Sequence, residues 1–195
     1  MATFSSKYPF LCVLKYIPSR YCSLRGWQIA NRKAVLRFKK GGLSKNHMDN
    51  ILSKVRAITK DDATRWVITF VPASTDEKTL LRFALLAQQL SEQQPCPVLL
   101  ESIHNHENYL PHHQGGGKKF KVHRIVFEDF KDKNVVLIDD VITSGRTFRE
   151  MGNKLMRTGA KSIYGVIFAM TIHPNLPVKS RKYYFKSKRK ILYTK

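Results

Sequence analysis

Two adjacent carboxylates and a hydroxyl-rich turn are the residues of this sequence best suited to chemistry. Residues 134–150 read NVVLIDDVITSGRTFRE, in which an apolar run stops at Asp139 and Asp140. Carboxylates accept hydrogen bonds from vicinal hydroxyl groups and help to retain a hydrated Mg²⁺. The turn that follows, residues 143–147, offers consecutive backbone N–H groups, three hydroxyls and one guanidinium. Placed before the start of a helix, such a turn is suited to binding an anion.

The acids and the turn together predict a ligand that has a phosphate at one end and a diol close to it. A ribose 5-phosphate has this chemistry. The turn is not the GxxxxGK[ST] nucleotide loop, because only Arg146 follows its single glycine. The residues alone leave two alternatives open, namely a Mg²⁺-binding acid pair of some other hydrolase and an ordinary surface turn.

The elements around these residues must bring them together at one place in the fold. Residues 135–139 and 163–170 each predict a buried strand. The helix predicted between them has an apolar face formed by Phe148, Met151, Leu155 and Met156. A strand–helix–strand unit of this kind predicts a parallel sheet covered on both faces. Ligands of such sheets bind beyond the carboxyl ends of the strands, which is where the acids and the turn are predicted.

The sequence before residue 134 continues the alternation of strands and helices. The predicted order is strand, break, helix, short strand, long loop and strand, over residues 66–71, 72–75, 77–92, 97–100, 103–120 and 122–127. The apolar positions that indicate the helix are Leu80, Leu81, Ala84, Leu85 and Ala87. The predicted fold class is therefore α/β, an open parallel sheet with helices on both faces and a small N-terminal or hood region.

The positive charge of the chain is large and unevenly distributed. Thirty-five Lys and Arg against 14 Asp and Glu give a net charge of +21. Residues 1–60 have a net charge of +12, residues 61–178 of +1 and residues 179–195 of +8. We therefore predict a basic N-terminal or hood segment over residues 1–60, a nearly neutral main domain over residues 61–178 and a basic C-terminal tail over residues 179–195. Basic ends favour polyanions such as nucleic acid, an anionic membrane or a phosphorylated small molecule, although they also simply improve solubility.

Several function classes are disfavoured by composition. The three cysteines, Cys12, Cys22 and Cys96, are an odd number without a CxxC pair, which argues against a disulfide framework and a zinc site. No apolar run approaches the roughly 20 residues that span a bilayer. The first residues do not have the charge pattern of a signal peptide. We therefore expect a protein of the reducing cytoplasm without a membrane partner.

The stretch VVLIDDVITSGRT resembles the phosphoribosyl-pyrophosphate (PRPP) signature of type I phosphoribosyltransferases, which is four hydrophobic residues, two acids and a T-[ST]-G-x-T loop. The resemblance implies that Asp139 and Asp140 hold the ribose hydroxyls and, through water, Mg²⁺. It also implies a 5-phosphate site formed by Thr143, Ser144, Gly145, Arg146 and Thr147.

Two further loops of the family plan can be placed by resemblance. A pyrophosphate-binding loop would be formed by Ala73, Ser74 and Thr75, with Lys78 nearby. A mobile basic loop that closes over PRPP would be formed by residues 112–119, in which glycines give freedom at the hinge. Lys118 and Lys119 would there meet the leaving pyrophosphate as the catalytic residues. The histidines of this loop are open to a catalytic role or to an ordinary surface role.

Within the superfamily the arrangement resembles the competence-associated ComF-like branch, in which a segment such as residues 35–41 precedes the main domain. Two departures weaken this likeness. The chain has no four-cysteine zinc ribbon, and residues 80–84 read Leu-Leu-Arg-Phe-Ala where that branch has an arginine-glycine-phenylalanine-asparagine pattern. Thr143 also replaces the third acid of the 6-oxopurine branch, so purine salvage of that kind loses support.

The resemblance implies an enzyme that transfers a phosphoribosyl group from PRPP to an unidentified acceptor, with a nitrogenous base favoured, and releases pyrophosphate with Mg²⁺ as cofactor. The alternative is a ComF-like, DNA-handling protein of the same fold that binds nucleic acid through its basic ends with little or no turnover. The acceptor and the oligomeric state are left open.

Overall fold

The computed structural model describes residues 7–59, 63–107, 121–126 and 128–172. Five parallel strands form the main sheet in the order β1-β7-β6-β2-β3, and β4 and β5 form a separate antiparallel hairpin. The elements are β1 (Phe10–Tyr16), α1 (Trp27–Lys39), α2 (Lys45–Thr59), β2 (Trp66–Phe70), α3 (Asp76–Gln93), β3 (Val98–Leu99), β4 (Ile103–Glu107), β5 (Lys121–Ile125), β6 (Asn134–Ile142), α4 (Arg146–Arg157) and β7 (Ser162–Thr171).

Apolar side chains fill both faces of the main sheet. On one face, α1, α2 and α3 bury residues such as Phe38, Ile51 and Phe83 against the strands. On the other face, α4 buries Phe148 and Leu155. Strands covered on both sides need apolar residues throughout, which is why β6 and β7 are almost continuously hydrophobic. The predicted α/β class, a parallel sheet with helices on both faces, is confirmed.

The central strand β6 continues beyond its predicted end. It pairs with β2 and β7, and its register with β7 extends through Val141 opposite Ala169 and Ile142 opposite Met170. Asp140 therefore lies inside the strand, as does Asp139, which was its predicted last residue. The apolar pattern stops at the acids, whereas the backbone pairing with β7 does not, and pairing is what defines the strand.

Helix α3 is confirmed, but its buried face differs from the predicted one. Leu81 and Leu85 are 59% and 43% exposed, and Leu80 is also exposed. The buried residues are Thr79, Phe83, Leu86, Ala87 and Leu90. Phe83 selects this face because its ring packs on Phe38 of α1 and on Phe70 of β2, with ring centroids 5.7 and 4.8 Å apart.

The segment before residue 60 contributes to the main sheet. β1 pairs in parallel with β7 from Phe10 to Tyr16, and α1 and α2 pack on the same sheet. The predicted boundary at residue 60 lies between α2 and β2. The start of the predicted long loop is also structured, because residues 103–107 form β4 and pair with β5.

Cys12, Cys22 and Cys96 are free thiols. Across the four described ranges, no helix has both the length and the apolar character needed to cross a membrane.

Candidate functional site

The two signature acids lie near the carboxyl end of β6, and both are only 6% exposed. Each carboxylate accepts a hydrogen bond from the next backbone amide. Asp139 Oδ1 accepts from the N–H of Asp140 at 2.8 Å, and Asp140 Oδ1 accepts from the N–H of Val141 at 2.7 Å. The strand thus fixes one oxygen of each carboxylate and leaves the other for a different partner.

Asp139 is in an environment that disfavours its charge. Burial raises the pKa of Asp139 well above its ordinary value, and the neighbouring charge of Asp140 raises it further. A hydrogen bond from the Asp140 amide and the positive charge of Arg82 act in the opposite direction but do not cancel the effect of burial. A ligand that donates hydrogen bonds or brings positive charge would therefore be favoured beside Asp139.

Asp140 is paired with two cations that come from two different helices. Its Oδ2 lies 2.9 Å from Nη1 of Arg82 in α3 and 3.7 Å from Nζ of Lys39 in α1. The Asp140 and Arg82 side chains are 9% and 17% exposed, whereas that of Lys39 is 44% exposed. The two acids are consequently different, because Asp140 has charge partners whereas no ion pair of Asp139 is found among the described residues.

The predicted phosphate turn leads directly into α4. Gly145 is the N-cap and adopts the left-handed conformation, with φ of 70°, and this conformation favours glycine. Within the described part of the chain no side chain caps this helix, and only the Arg146 amide approaches Ser144 Oγ, at 3.4 Å. The first turn of α4 thus offers backbone N–H groups to an anion, and it contains no acidic residue.

Two side chains of the turn already have partners. The Arg146 guanidinium pairs with Glu150 one turn further along α4, with Nε and Oε1 2.7 Å apart and both side chains exposed. The hydroxyl of Thr143 lies 3.0 Å from that of Thr171 at the end of β7. The structure therefore places Thr143 where it ties the turn to the neighbouring strand. The roles of both residues toward a phosphate stay predictions.

The predicted pyrophosphate loop, Ala73 to Thr75, follows β2 at the same edge of the sheet. β2 is the neighbour of β6, and the amide of Val71 donates to the carbonyl of Ile138 at 2.8 Å. The loop is fixed by Thr79, whose hydroxyl accepts from the Ala73 amide at 2.8 Å and donates to the Thr75 carbonyl at 2.9 Å.

The start of α3 differs in charge from the start of α4. Thr75 caps α3 by accepting a hydrogen bond from the Lys78 amide at 3.3 Å, and Asp76 and Glu77 occupy its first turn. A hydrogen bond with Thr75 lowers the pKa of Glu77, which favours its charged form. A bare phosphate is therefore better accommodated at α4. A diphosphate beside Ala73, Ser74 and Thr75 would need a cation to offset these acids.

The hairpin of β4 and β5 is attached next to this loop. His104 Nδ1 in β4 lies 3.5 Å from Asp76 Oδ2 at the start of α3, and Ser102 donates a hydrogen bond to Asp129 at the base of the hairpin. The basic loop predicted over residues 112–119, with Lys118 and Lys119, lies outside the described residues. β4 and β5 lead into and out of it, and the contact of β4 with the start of α3 is made by His104.

The donor set at this edge fits a Mg²⁺ ion held through water and not one enclosed by the chain. No cluster of three or more potential ligands occurs in the described ranges, and the charge of Asp140 is already paired with that of Arg82. Carboxylate oxygens are suited to Mg²⁺, which usually keeps several waters and takes only one or two carboxylates together with substrate phosphates. Asp139 is the more available of the two.

Arg82 and Lys39 are site residues that the sequence analysis did not identify. Arg82 follows two leucines in an apolar stretch, and Lys39 ends a basic helix, so neither is distinctive by type. The available signal was their position next to large apolar residues, since Phe38 and Phe83 are buried and pack on each other. A buried aromatic residue fixes the direction of its neighbour.

A protein-family model matches more than half of the sequence. The family model of the phosphoribosyl transferase domain matches residues 74–192. That range contains both acids, the phosphate turn, Ser74 and Thr75, and the two loop lysines. No curated protein matches the chain in sequence.

Solved structures give weaker likenesses. A purine phosphoribosyltransferase from Pyrococcus horikoshii is 21% identical, with 69% of this chain and 81% of that one covered and a TM-score of 0.43. The APRTase from Giardia lamblia is 15% identical, with 65% and 80% covered and a TM-score of 0.40. A hypothetical protein from Neisseria gonorrhoeae with bound ppGpp is 10% identical, with 74% and 91% covered and a TM-score of 0.40. At these identities and TM-scores, the matches give no information about the substrate of this chain.

The family match therefore rests on sequence, and it covers well over half of the 195 residues, including the β6–α4 unit that contains the acids and the turn. The chain belongs to the phosphoribosyl transferase domain family.

Proposed function

We propose that the protein binds PRPP with Mg²⁺ and transfers its phosphoribosyl group to an acceptor, favouring a nitrogenous base, with release of pyrophosphate. The observation that carries the proposal is that the acid pair and the uncapped start of α4 lie at the carboxyl end of one strand, β6. A phosphate at α4 and a diol at Asp139 and Asp140 would occupy both halves of this unit.

The position of the pyrophosphate loop supports the same ligand. Residues 73–75 follow β2, the direct neighbour of β6, so the two loops emerge side by side, roughly 5 Å apart by the usual spacing of strands. PRPP has its diphosphate on the anomeric carbon, on the other side of the ribose from its 5-phosphate. The chain thus provides separate sites for the two ends of the molecule.

The chemical work would be the stabilisation of charge on the leaving group as the anomeric bond breaks. Mg²⁺ would offset the charge of the diphosphate when bound. The residues of this chain would orient the ribose through Asp139 and Asp140, hold the 5-phosphate at the start of α4 and add the positive charge of Lys118 and Lys119. Thr143 provides no carboxylate at the position where the 6-oxopurine branch has its third acid, so we assign no general base.

The test is the loss of PRPP binding when both acids are replaced. Asp139→Asn with Asp140→Asn removes both negative charges while keeping side-chain volume, so we expect PRPP affinity to fall by about 100-fold or more. Isothermal titration calorimetry with PRPP and Mg²⁺ measures this, and circular dichroism shows whether the fold is retained.

The matched control is Asp132→Asn, which removes an exposed carboxylate 3.8 Å from Lys161 before the start of β6. It should bind PRPP as the wild type does. Unchanged PRPP affinity in the folded double variant would contradict the assignment of the ribose site. Pyrophosphate release with a panel of bases then distinguishes turnover from binding alone.

A second candidate function is the binding of nucleic acid, with little or no turnover of PRPP. The observation that favours it is the basic surface of α1, whose exposed cations include Lys33, Arg37 and Lys39, with Trp27 half exposed at the start of the helix. A cavity of about 370 Å³ between residues 19–24 and α1 is lined in part by Arg32 and Lys33. Cations and an exposed aromatic ring together suit a single-stranded polyanion.

A further inference from the structure

Two unsatisfied polar atoms lie next to each other at the ion pair of Asp140 and Arg82. Oδ2 of Asp140 and Nε of Arg82 are both buried, and neither has a hydrogen-bond partner among the described residues. The 2.9 Å approach of Arg82 Nη1 to Oδ2 is thus an ion pair without the alignment of a hydrogen bond. Buried polar groups are almost always satisfied, so an orphaned acceptor beside an orphaned donor requires a partner.

The chemistry of the missing partner follows from the two atoms. Oδ2 of a carboxylate only accepts hydrogen bonds, and Nε–H of a guanidinium only donates them. One hydroxyl group, which both donates and accepts, can satisfy both atoms at once. An anion would be attracted by the guanidinium but repelled by the carboxylate. A cation would be attracted by the carboxylate but repelled by the guanidinium.

The location of the pair indicates whose hydroxyl it is. Asp140 is the second acid of the candidate ribose site, on the strand that leads to the phosphate turn. We propose that Arg82 is a substrate-binding and positioning residue, which orients the Asp140 carboxylate and forms with it a subsite for one hydroxyl of the ribose. This inference rests on the proposed function, because it needs a ribose phosphate at β6.

The surrounding packing holds the subsite in place from one side and leaves it approachable from another. Phe83, next to Arg82, is fully buried between Phe38 and Phe70, so the start of the Arg82 side chain is fixed. Lys39 is the outer member of the cluster, 3.7 Å from Oδ2 and nearly half exposed. A flexible lysine can swing aside more easily than a buried arginine, and the entering hydroxyl would pass on its side.

The same helix also connects this subsite to the other end of the ligand. α3 begins after Thr75 of the candidate pyrophosphate loop and carries Arg82 two turns later. At 1.5 Å of rise per residue, about 10 Å of rigid helix separates the two. α3 therefore joins the residue that pairs with Asp140 to the loop that would meet the diphosphate.

The experiment compares the affinities of ribose 5-phosphate and inorganic phosphate for the full-length protein by calorimetry. Arg82→Gln removes the charge and the Nε donor, so we expect ribose 5-phosphate affinity to fall by about tenfold or more, while inorganic phosphate at α4 is unaffected. Arg82→Lys keeps the charge but not the planar fork, and it should recover only part of the loss.

The matched control is Arg56→Gln, which removes an exposed arginine hydrogen-bonded to a neutral Gln93. It should leave both affinities unchanged. Equal ribose 5-phosphate affinity in Arg82→Gln and wild type would overturn the inference and would leave a buried water as the partner of the two atoms. An equal loss of both ligands in Arg82→Gln would also overturn it, since that is the result of a merely structural role.

The proposed function fails in a different way, which the same titrations reveal. If wild-type protein binds neither PRPP nor ribose 5-phosphate, the ribose site itself is wrong. If wild type binds both ligands and the Arg82 variants bind them with the same affinity, the ribose site is supported and the role proposed for Arg82 is wrong.

Discussion

Asp139 and Asp140 are identical residues side by side, yet their surroundings give them different properties. Asp140 is charge-paired with Arg82 and Lys39. The charged form of Asp139 is instead disfavoured by burial and by the neighbouring negative charge of Asp140. Burying a charged carboxylate away from water without a charge partner raises the free energy of the folded state. Under the proposed function, a ligand with hydroxyl donors would supply the hydrogen bonds that the protein does not.

The pH dependence of stability should reveal this difference. Because burial raises the pKa of Asp139 in the folded state, that state binds a proton more tightly than the unfolded chain. Stability without ligand should therefore fall as pH rises from about 4, the ordinary value, through the raised pKa. Asp139→Asn lacks this penalty, so we expect it to be more stable than wild type at pH 8, with a smaller difference at pH 5.

Urea unfolding of both proteins at the two pH values measures the difference. Asp132→Asn, an exposed acid, serves as the control and should show no comparable change with pH. A stability gain for Asp139→Asn that is the same at both pH values, or absent, would show that the folded protein does not disfavour the charged form of Asp139.

At the scale of elements, residue pattern predicted which segments form strands and helices better than it predicted what they face. Leu80, Leu81 and Leu85 mark α3 as a helix, but Phe83 and Leu86 are the residues it buries. Both stripes fit a helical period, so the choice between them is made by Phe38 and Phe70, which are far away in sequence. Local periodicity contains no information about such partners.

The site shows the same division. The acids and the turn are adjacent in sequence, so the pattern of the chain predicted that both lie at the carboxyl end of one strand, as they do. Arg82 reaches Asp140 across 58 residues of chain, and that contact depends on how α3 crosses the sheet. The mutual position of elements was therefore the part that sequence could not supply.

Gly165 of β7 allows α4 to pack closely against the sheet. A Cβ at this position in β7 would lie 2.6 Å from Phe10 Cβ and 2.6 Å from Phe148 Cζ. Phe148 belongs to the first turn of α4, at the candidate phosphate site. Gly165→Ala should therefore displace α4 from the sheet, lower the free energy of unfolding by about 1–3 kcal/mol and weaken inorganic phosphate binding.

Chemical denaturation and phosphate titration test this prediction, with Gly26→Ala as the control. Gly26 precedes α1 and has φ of 48°, and a Cβ there meets nothing within 4 Å. Its cost should be limited to backbone strain of about 1–3 kcal/mol, with phosphate binding unchanged. Equal effects of the two alanines on phosphate binding would mean that the contact between Gly165 and Phe148 does not position α4.

At the scale of the whole molecule, charge is divided between a nearly neutral middle and two basic ends. Residues 61–178 have a net charge of +1, against +12 before and +8 after them. The candidate PRPP site lies mostly in the neutral part, since β2, α3, β6 and α4 all fall within it. Binding one small phosphorylated ligand therefore does not account for most of the positive charge.

The exposed face of α1 provides the sharpest test of what the charge does. If it binds single-stranded nucleic acid, affinity should fall steeply with salt, because each neutralised phosphate releases counterions. Replacing Lys33 and Arg37, both exposed, with Gln should lower the slope of log affinity against log salt by about 1.4, or about 0.7 for each phosphate that is no longer neutralised. Trp27→Ala should weaken binding by about 1–3 kcal/mol without changing that slope, since base stacking is uncharged.

Fluorescence anisotropy with a labelled oligonucleotide over a salt series measures both quantities, and deletion of 179–195 tests the contribution of the other basic end. Arg157→Gln, an exposed cation on α4 on the opposite face of the sheet, is the control and should leave the slope unchanged. If all cation removals lowered the slope equally, binding would be diffuse and α1 would not be the site. If PRPP affinity stayed constant in the α1 variants while oligonucleotide affinity fell, the two functions would be separate properties of one fold.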